Sequence, residues 1–219
     1  MTEQAAPVTV GVVFETFPAS VRGAVVVRGR DPQPHQIRMA GADVVEAHAL
    51  ARPVRSIPVE EAVVDVAPHG EVLIPFDVPF AELPPGWYCV SADVVVDGSR
   101  RVQGPEGGGK RFVVPWPKEA VRRADLRPNL KVGGAVIERV ECRADRMSVR
   151  WRPQRGAGEG NLRVSAGSRR LPVVEVSDDP RTGFRTTITY PVPRRASHLT
   201  FEAPQGGGRS KATAVLELS

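Results

Sequence analysis

The chain has 219 residues, 30 basic and 25 acidic groups for a formal net charge of +5, and 41% apolar side chains. That is enough to fill one large hydrophobic core or two of ordinary size. Only 5% of residues are aromatic, while glycine and proline contribute 21 each, a frequency that breaks up long helices yet stays below the roughly 25–30% of low-complexity chains.

No apolar run approaches the ~18 residues of a membrane span. The opening stretch MTEQAAPVTVGVVF has no basic start, no apolar stretch of signal length and no small-residue cleavage site, so a cytoplasmic location is expected. Cys89 and Cys142 fall in different halves and make no disulfide framework, which suits reduced thiols. Four of the basic residues are lysines and 26 are arginines, reflecting either GC-rich codons or a capacity to hold planar anions.

In chain order, short valine-rich runs predict strands at 7–14, 21–29, 36–46, 59–66, 70–78, 87–96 and 110–115. In the stretch RFVVPWPKEAVRRADLRPNLKV that follows, Pro115, Pro117 and Pro128 bracket a charged segment with room for at most a short helix. The expected organisation is domain 1 at 1–117, a linker at 118–128 and domain 2 at 129–219. Further strands are predicted at 131–142, 146–153, 160–166, 170–177, 184–191, 197–203 and 211–218. Asp97-Gly98, Gly156 to Gly160 and Asp178-Asp179-Pro180 supply turns, and no segment keeps a helical period over ten positions. The fold class is all-β, twice. The halves also rhyme: IPFDVP (Ile74 to Pro79) with ITYPVP (Ile188 to Pro193), and GGGK (Gly107 to Lys110) with GGGR (Gly206 to Arg209).

The most specific local signal is LPPGWYCVSADVVVDG, Leu83 to Gly98. Leu83, Pro85, Gly86 and Tyr88 follow an L-x-P-G-x-Y pattern that resembles the tyrosine corner of immunoglobulin-like and fibronectin type III-like sandwiches. The resemblance implies two tandem β-sandwich domains joined by a short proline-bracketed linker, with the Tyr88 hydroxyl bonded back to nearby backbone. From Tyr88 onward, Val90, Ala92, Val94 and Val96 share its core face, while Cys89, Ser91, Asp93 and Asp97 are expected to face solvent. Val90 stands where an immunoglobulin domain has its disulfide cysteine, so the likeness is to disulfide-free members. A tandem of arrestin-like sandwiches is a competing topology.

Gly104, Gly109 and Lys110 match the G-x-x-x-x-G-K spacing of a phosphate loop. Such a loop needs a following helix and a Ser or Thr after the lysine. Here Arg111 and the β-branched run FVVPW follow, so a plain loop between the last two strands of domain 1 is expected. His35, His48, His69 and His198 are scattered and read as surface or turn residues. Glu60 and Glu61 point to opposite faces of any strand. No nucleophile elbow, metal-ligand spacing or cofactor motif is present, and no enzyme is expected.

Charge is polarised: residues 1–117 are net −4, 118–128 net +2 and 129–219 net +7, which steers the second half toward anionic partners. In RMSVRWRP, Arg146, Arg150 and Arg152 alternate with Met147, Val149 and Trp151, which aligns them outward if Trp151 is core. Arg163 has the outward phase in NLRVSAG, and Arg169 and Arg170 follow in the next turn. Neighbouring strands would join these six arginines into one basic patch for phosphate, nucleic acid or an acidic protein surface; the alternative is a solvated or internally neutralised face. The expectation is a cytoplasmic protein-interaction or scaffolding module with a protein partner, the alternative an anion- or nucleic-acid-binding protein.

Overall fold

Runs of Val, Ile and Thr broken by Gly, Pro and Asp cannot hold a helix, so they satisfy their backbone groups in antiparallel ladders. The computed structural model describes residues 6–59, 63–105, 109–154, 161–204 and 211–218. Glu60-Glu61, Gly107-Gly108 of the glycine loop, the 156–160 turn and the 206–209 glycine run lie outside the described residues. Helix among the described residues is confined to single 3-10 turns, Phe80–Glu82 and Lys118–Ala120. None is long and apolar enough to cross a membrane. The chain divides into two compact units, Met1–Val114 and Pro115–Ser219.

Unit 1 holds β1 (Val8–Thr16), β2 (Ser20–Gly29), β3 (His35–Glu46), β4 (Ala49–Ser56), β5 (Val63–Val66), β6 (Glu71–Pro79), β7 (Gly86–Val96), β8 (Arg100–Gly104) and β9 (Arg111–Val114). One sheet has the order β1-β2-β6. The other runs β4-β3-β7-β8, with β5 also paired to β3 and β9 also paired to β7. One core draws on both sheets: Val25, Val27, Ile74 and Phe76 from the first, Ile37, Val44, Val94 and Phe112 from the second. Phe14, Phe80 and Tyr88 gather round Phe112 at ring-centroid distances of 5.8, 6.2 and 5.7 Å. Strands β4 and β8 escape the sequence reading because Pro53 and Arg55, then Arg100 and Arg101, mask an extended backbone with polar or ring side chains. Strands β8 and β9, which flank the glycine loop in sequence, both take β7 as partner.

The L-x-P-G-x-Y residues form a corner. The Tyr88 hydroxyl donates to the Pro84 carbonyl at 2.8 Å, and Leu83 and Tyr88 are buried. A Cβ at Gly86 would lie 2.8 Å from the Tyr88 hydroxyl oxygen, so only glycine admits the ring there. Cys89 corrects the expected solvent face: it is 1% exposed. In register it stands between Val45 and Arg111, and its Sγ lies 4.0 Å from the Val45 carbonyl.

His35 also departs from expectation. It is buried, with Nδ1 2.7 Å from Asp97 Oδ2 and Nε2 2.7 Å from Asp31 Oδ1. Ionised carboxylates only accept, so both ring nitrogens donate and the group is an imidazolium. Asp97 has a left-handed backbone, φ 49°, and its other oxygen accepts the Gln36 N–H at 3.0 Å. The cluster thus ties the loop before β3 to the turn after β7. The bonds to Asp97 and then Asp31 raise the His35 pKa; the bond to His35 lowers both carboxylates.

Unit 2 holds β10 (Ala124–Leu126), β11 (Leu130–Val132), β12 (Ala135–Cys142), β13 (Met147–Pro153), β14 (Arg163–Ala166), β15 (Arg169–Arg170), β16 (Val173–Asp179), β17 (Phe184–Thr189), β18 (His198–Pro204) and β19 (Lys211–Glu217). The order β10-β12-β13-β17-β16, with β11 also paired to β12, makes one sheet; β15-β14-β18-β19 makes the other. Buried Ile137, Val149 and Trp151 of the first meet Val164, Leu199 and Phe201 of the second in one core. The buried Trp151 indole donates to Thr187 Oγ1 at 3.0 Å, so neither polar group is left unsatisfied.

The segment expected as a linker at 118–128 belongs to this unit. Arg139 grips Asp125 through two bonds of 2.8 and 2.7 Å, pinning β10 to β12, and Val121 bridges to Pro193. The prolines punctuate this segment without freeing it from the sheet.

Replacing Tyr88 with Phe should cost about 1 kcal/mol through the lost hydrogen bond. Gly86→Ala should cost about 1–3 kcal/mol through overpacking; urea unfolding of both variants checks this. For the histidine cluster, the contribution of His35 is whole below the usual 6.5 and lost as pH rises through its raised folded value. That of Asp31 and Asp97 is whole above the usual 3.8 and lost as pH falls through their lowered values. Stability should therefore decline on the alkaline side, and His35→Gln should remove that decline. Urea midpoints from about pH 6 to about pH 9 that are flat in the parent chain would refute it.

Candidate functional site

The six arginines do not form one patch. Arg150 and Arg152 lie on β13, whose neighbours are β12 and β17, with Arg146 just before it. Arg163 opens β14, and Arg169 and Arg170 are β15, all in the other sheet. Sequence alternation reports which way a side chain points but not which strand lies beside it.

The arginines of β13 are also occupied. Their guanidinium carbons sit over the buried Phe184 ring, Arg150 at 4.1 Å and Arg152 at 4.3 Å from its centroid. Arg152 pairs with Glu138 at 3.7 Å, Arg185 with Asp178 at 2.9 Å, and Arg146 with Asp145 at 3.5 Å. Asp179 is held below the usual carboxylate value by the Thr182 hydroxyl first, then by the N–H groups of Arg181 and Thr182 and by Arg150. On the outer face Arg150 and Arg152 thus cover an aromatic ring, while Arg185, in register with Trp151 and over its ring, belongs to the other side of the sheet. Across the other sheet, Arg163 stands opposite Glu202.

A different region of unit 2 holds a cavity with one exposed arginine in its lining. A cleft of about 180 Å³ is walled by Trp116, Leu171, Pro172, Tyr190, Pro191 and Pro193, with Ala120, Val121 and Arg169 also in its lining. Trp116 and Tyr190 meet edge to face, 5.2 Å between centroids at 69°. Main-chain bonds hold the walls: Arg122 N–H to Val192 C=O and Arg194 N–H to Ala120 C=O, both 2.9 Å, and Tyr190 N–H to Pro172 C=O at 3.1 Å. The sequence displayed its parts as PWP and YPVP, but the two are some 70 residues apart, and nothing local says that they meet.

In unit 1 the outer face of β1-β2-β6 has a plain pattern. Register aligns Val13, Ala24 and Pro75 in one row and Gly11, Val26 and Leu73 in the next. The flanking rows carry Glu15, Arg22 and Asp77 on one side and Thr9, Arg28 and Glu71 on the other. Arg22 pairs with Asp77 at 3.1 Å and Arg28 with Glu71. Val13 is 52% and Leu73 57% exposed while Val26 between the rows is buried, so exposed apolar side chains flank a covered centre between two rows of ion pairs.

The remaining reactive groups are engaged or buried. Lys110 donates to the Phe14 carbonyl at 2.8 Å and lies over its ring, so this lysine serves packing. Gly104 abuts β1; a Cβ there would lie 2.2 Å from the Val10 carbonyl oxygen. Burial pushes the Cys142 thiol up to about 11, which keeps it protonated and a poor nucleophile. Among the described residues, no three His, Cys, Asp or Glu side chains are placed to share a metal ion.

No family model and no curated protein matches the chain. Solved structures that are similar include a conserved domain protein from Bacillus anthracis, at 13% identity and a TM-score of 0.30, over 100% of this chain and 90% of that one. A likeness of that size carries no argument about function. Sequence and structure together describe a nearly all-β chain of several antiparallel sheets.

Proposed function

We infer that the chain is a non-enzymatic protein-interaction or scaffolding module of a cytoplasmic assembly, built of two immunoglobulin-like, fibronectin-like β-sandwich domains. The strand order supports the sandwich reading. In unit 1 the first, second and sixth strands pair apart from the rest; in unit 2 successive hairpins alternate between two sheets that share a core. The Tyr88–Pro84 bond adds the corner of that fold class. Free, buried Cys89 and Cys142 suit a reducing compartment.

The observation that carries the interaction reading is the strip in which Val13, Leu73 and Pro75 stand exposed beside half-buried Ala24, over buried Val26. A contiguous exposed apolar surface rimmed by polar groups is characteristic of protein contacts. Augmentation along the β6 edge is disfavoured, because Pro75 and Pro79 lack the N–H that a ladder needs. Exposed apolar side chains with ion-paired borders suit a face-on partner.

A second reading, anion or nucleic-acid binding through unit 2, rests on the net +9 of residues 115–219. The two differ in salt response, since phosphate contacts weaken steeply with ionic strength and an apolar interface does not.

The test is affinity capture from the native cell extract with the parent chain and Leu73→Glu, at low and moderate salt, with and without nuclease. Leu73→Glu should shift stability by less than about 0.5 kcal/mol while weakening capture of a salt-resistant protein by at least about tenfold. Capture that is indifferent to Leu73→Glu sinks the strip as the docking face. Nucleic acid recovered only at low salt moves the assignment to unit 2.

A further inference from the structure

The cleft of unit 2 is independent of that strip, and its shape, lining and charge all bear on what it takes. At about 180 Å³ it is smaller than the roughly 300–1,000 Å³ of sites for drug-sized ligands and cofactors, and it suits one or two side chains of a peptide. Its walls are tied by main-chain hydrogen bonds, so it is formed before any ligand arrives and little ordering opposes binding. Pro172, Pro191 and Pro193 have no N–H groups to extend a β-ladder. Beside the Trp116–Tyr190 pair they form a ring-lined surface of the kind that accepts extended, proline-bearing segments.

Charge selects among such segments. The stretches that form the walls carry Lys118, Arg122, Arg169, Arg170 and Arg194 against a single acid, Glu119. Lys118, Arg169, Arg170 and Arg194 are exposed. Unlike the β13 arginines, Arg169 has neither an ion pair nor an aromatic ring among the described residues, and its side chain lines the cleft.

We propose that this cleft is a binding site for an extended acidic peptide segment. A proline or aliphatic side chain seats against Trp116 and Tyr190, and flanking carboxylates meet Arg169 and the neighbouring cations. A guanidinium receives a carboxylate through two parallel hydrogen bonds, which fixes orientation as well as adding attraction. Nucleobases fit less well. The 69° angle between the two rings leaves no pair of parallel platforms between which bases could stack.

The experiment uses the full chain and fluorescence anisotropy with three labelled probes: a dodecapeptide with two prolines flanked by Asp and Glu, the same peptide with Asn and Gln in place of the acids, and a twelve-residue oligothymidylate. The acidic peptide should bind saturably, at least about tenfold more tightly than its neutral counterpart. The exposed-site change Arg169→Glu, which leaves the core untouched, should weaken it by a similar factor. Leu73→Glu should leave it unchanged, which separates this site from the docking strip. Equal binding of acidic and neutral peptides, no saturable binding, or indifference to Arg169→Glu overturns the proposal. Tighter binding of the oligothymidylate overturns it in favour of nucleic acid.

Discussion

The bond from the Tyr88 hydroxyl to the Pro84 carbonyl determines where β7 begins, and the larger sheet of unit 1 takes its register from that strand. Strands β3, β8 and β9 all pair with β7. Its phase puts Tyr88, Val90, Ala92, Val94 and Val96 in the core. A slip of one residue would turn Ser91 and Asp93 inward instead, burying groups with no partners. Gly86 leaves room for the ring, and Phe112 packs against it from the strand that closes the same edge. The ionic tie from His35 to Asp31 and Asp97 acts at the opposite end of β7. The central strand is thus held at both ends by polar contacts and along its length by apolar ones.

Unit 2 shows how placement decides what a charge can do. The outer face of β13 carries Arg150 and Arg152, yet their guanidinium groups lie on Phe184 and that of Arg152 also meets Glu138. Exposed pairs of this sort contribute little stability singly, but together they cover an aromatic ring on an outer sheet face. Arg169, by contrast, is exposed and lines the cavity beside Trp116 and Tyr190. Equal charge in sequence therefore becomes a self-satisfied surface in one place and an open one in another.

Particular residues show how far the sequence was readable. Tyr88, Gly86 and the alternation after them stated a strand, its phase and its corner from local pattern alone. Cys89 did not, because its burial depends on flanking Val45 and Arg111, which belong to other strands. Strands β4, β8 and β10 were hidden for a related reason. Their backbones are extended by pairing, while Pro53, Arg100, Arg101 and Asp125 carry weak or contrary local preferences. His35 looked like one of four scattered histidines, since the carboxylates that bury its charge come from a preceding loop and a distant turn.

The sequence by itself determined that this is a β protein, which faces of its strong strands are apolar, and that its positive charge lies in its second half, because composition and period-two alternation are properties of neighbouring residues. Only the tertiary structure decided that β13 and β14 lie in different sheets, that PWP and YPVP close on one another, and that Val13 and Leu73 share an open face. Those are questions of which strand pairs with which, and pairing is settled by how two sheets bury a common core.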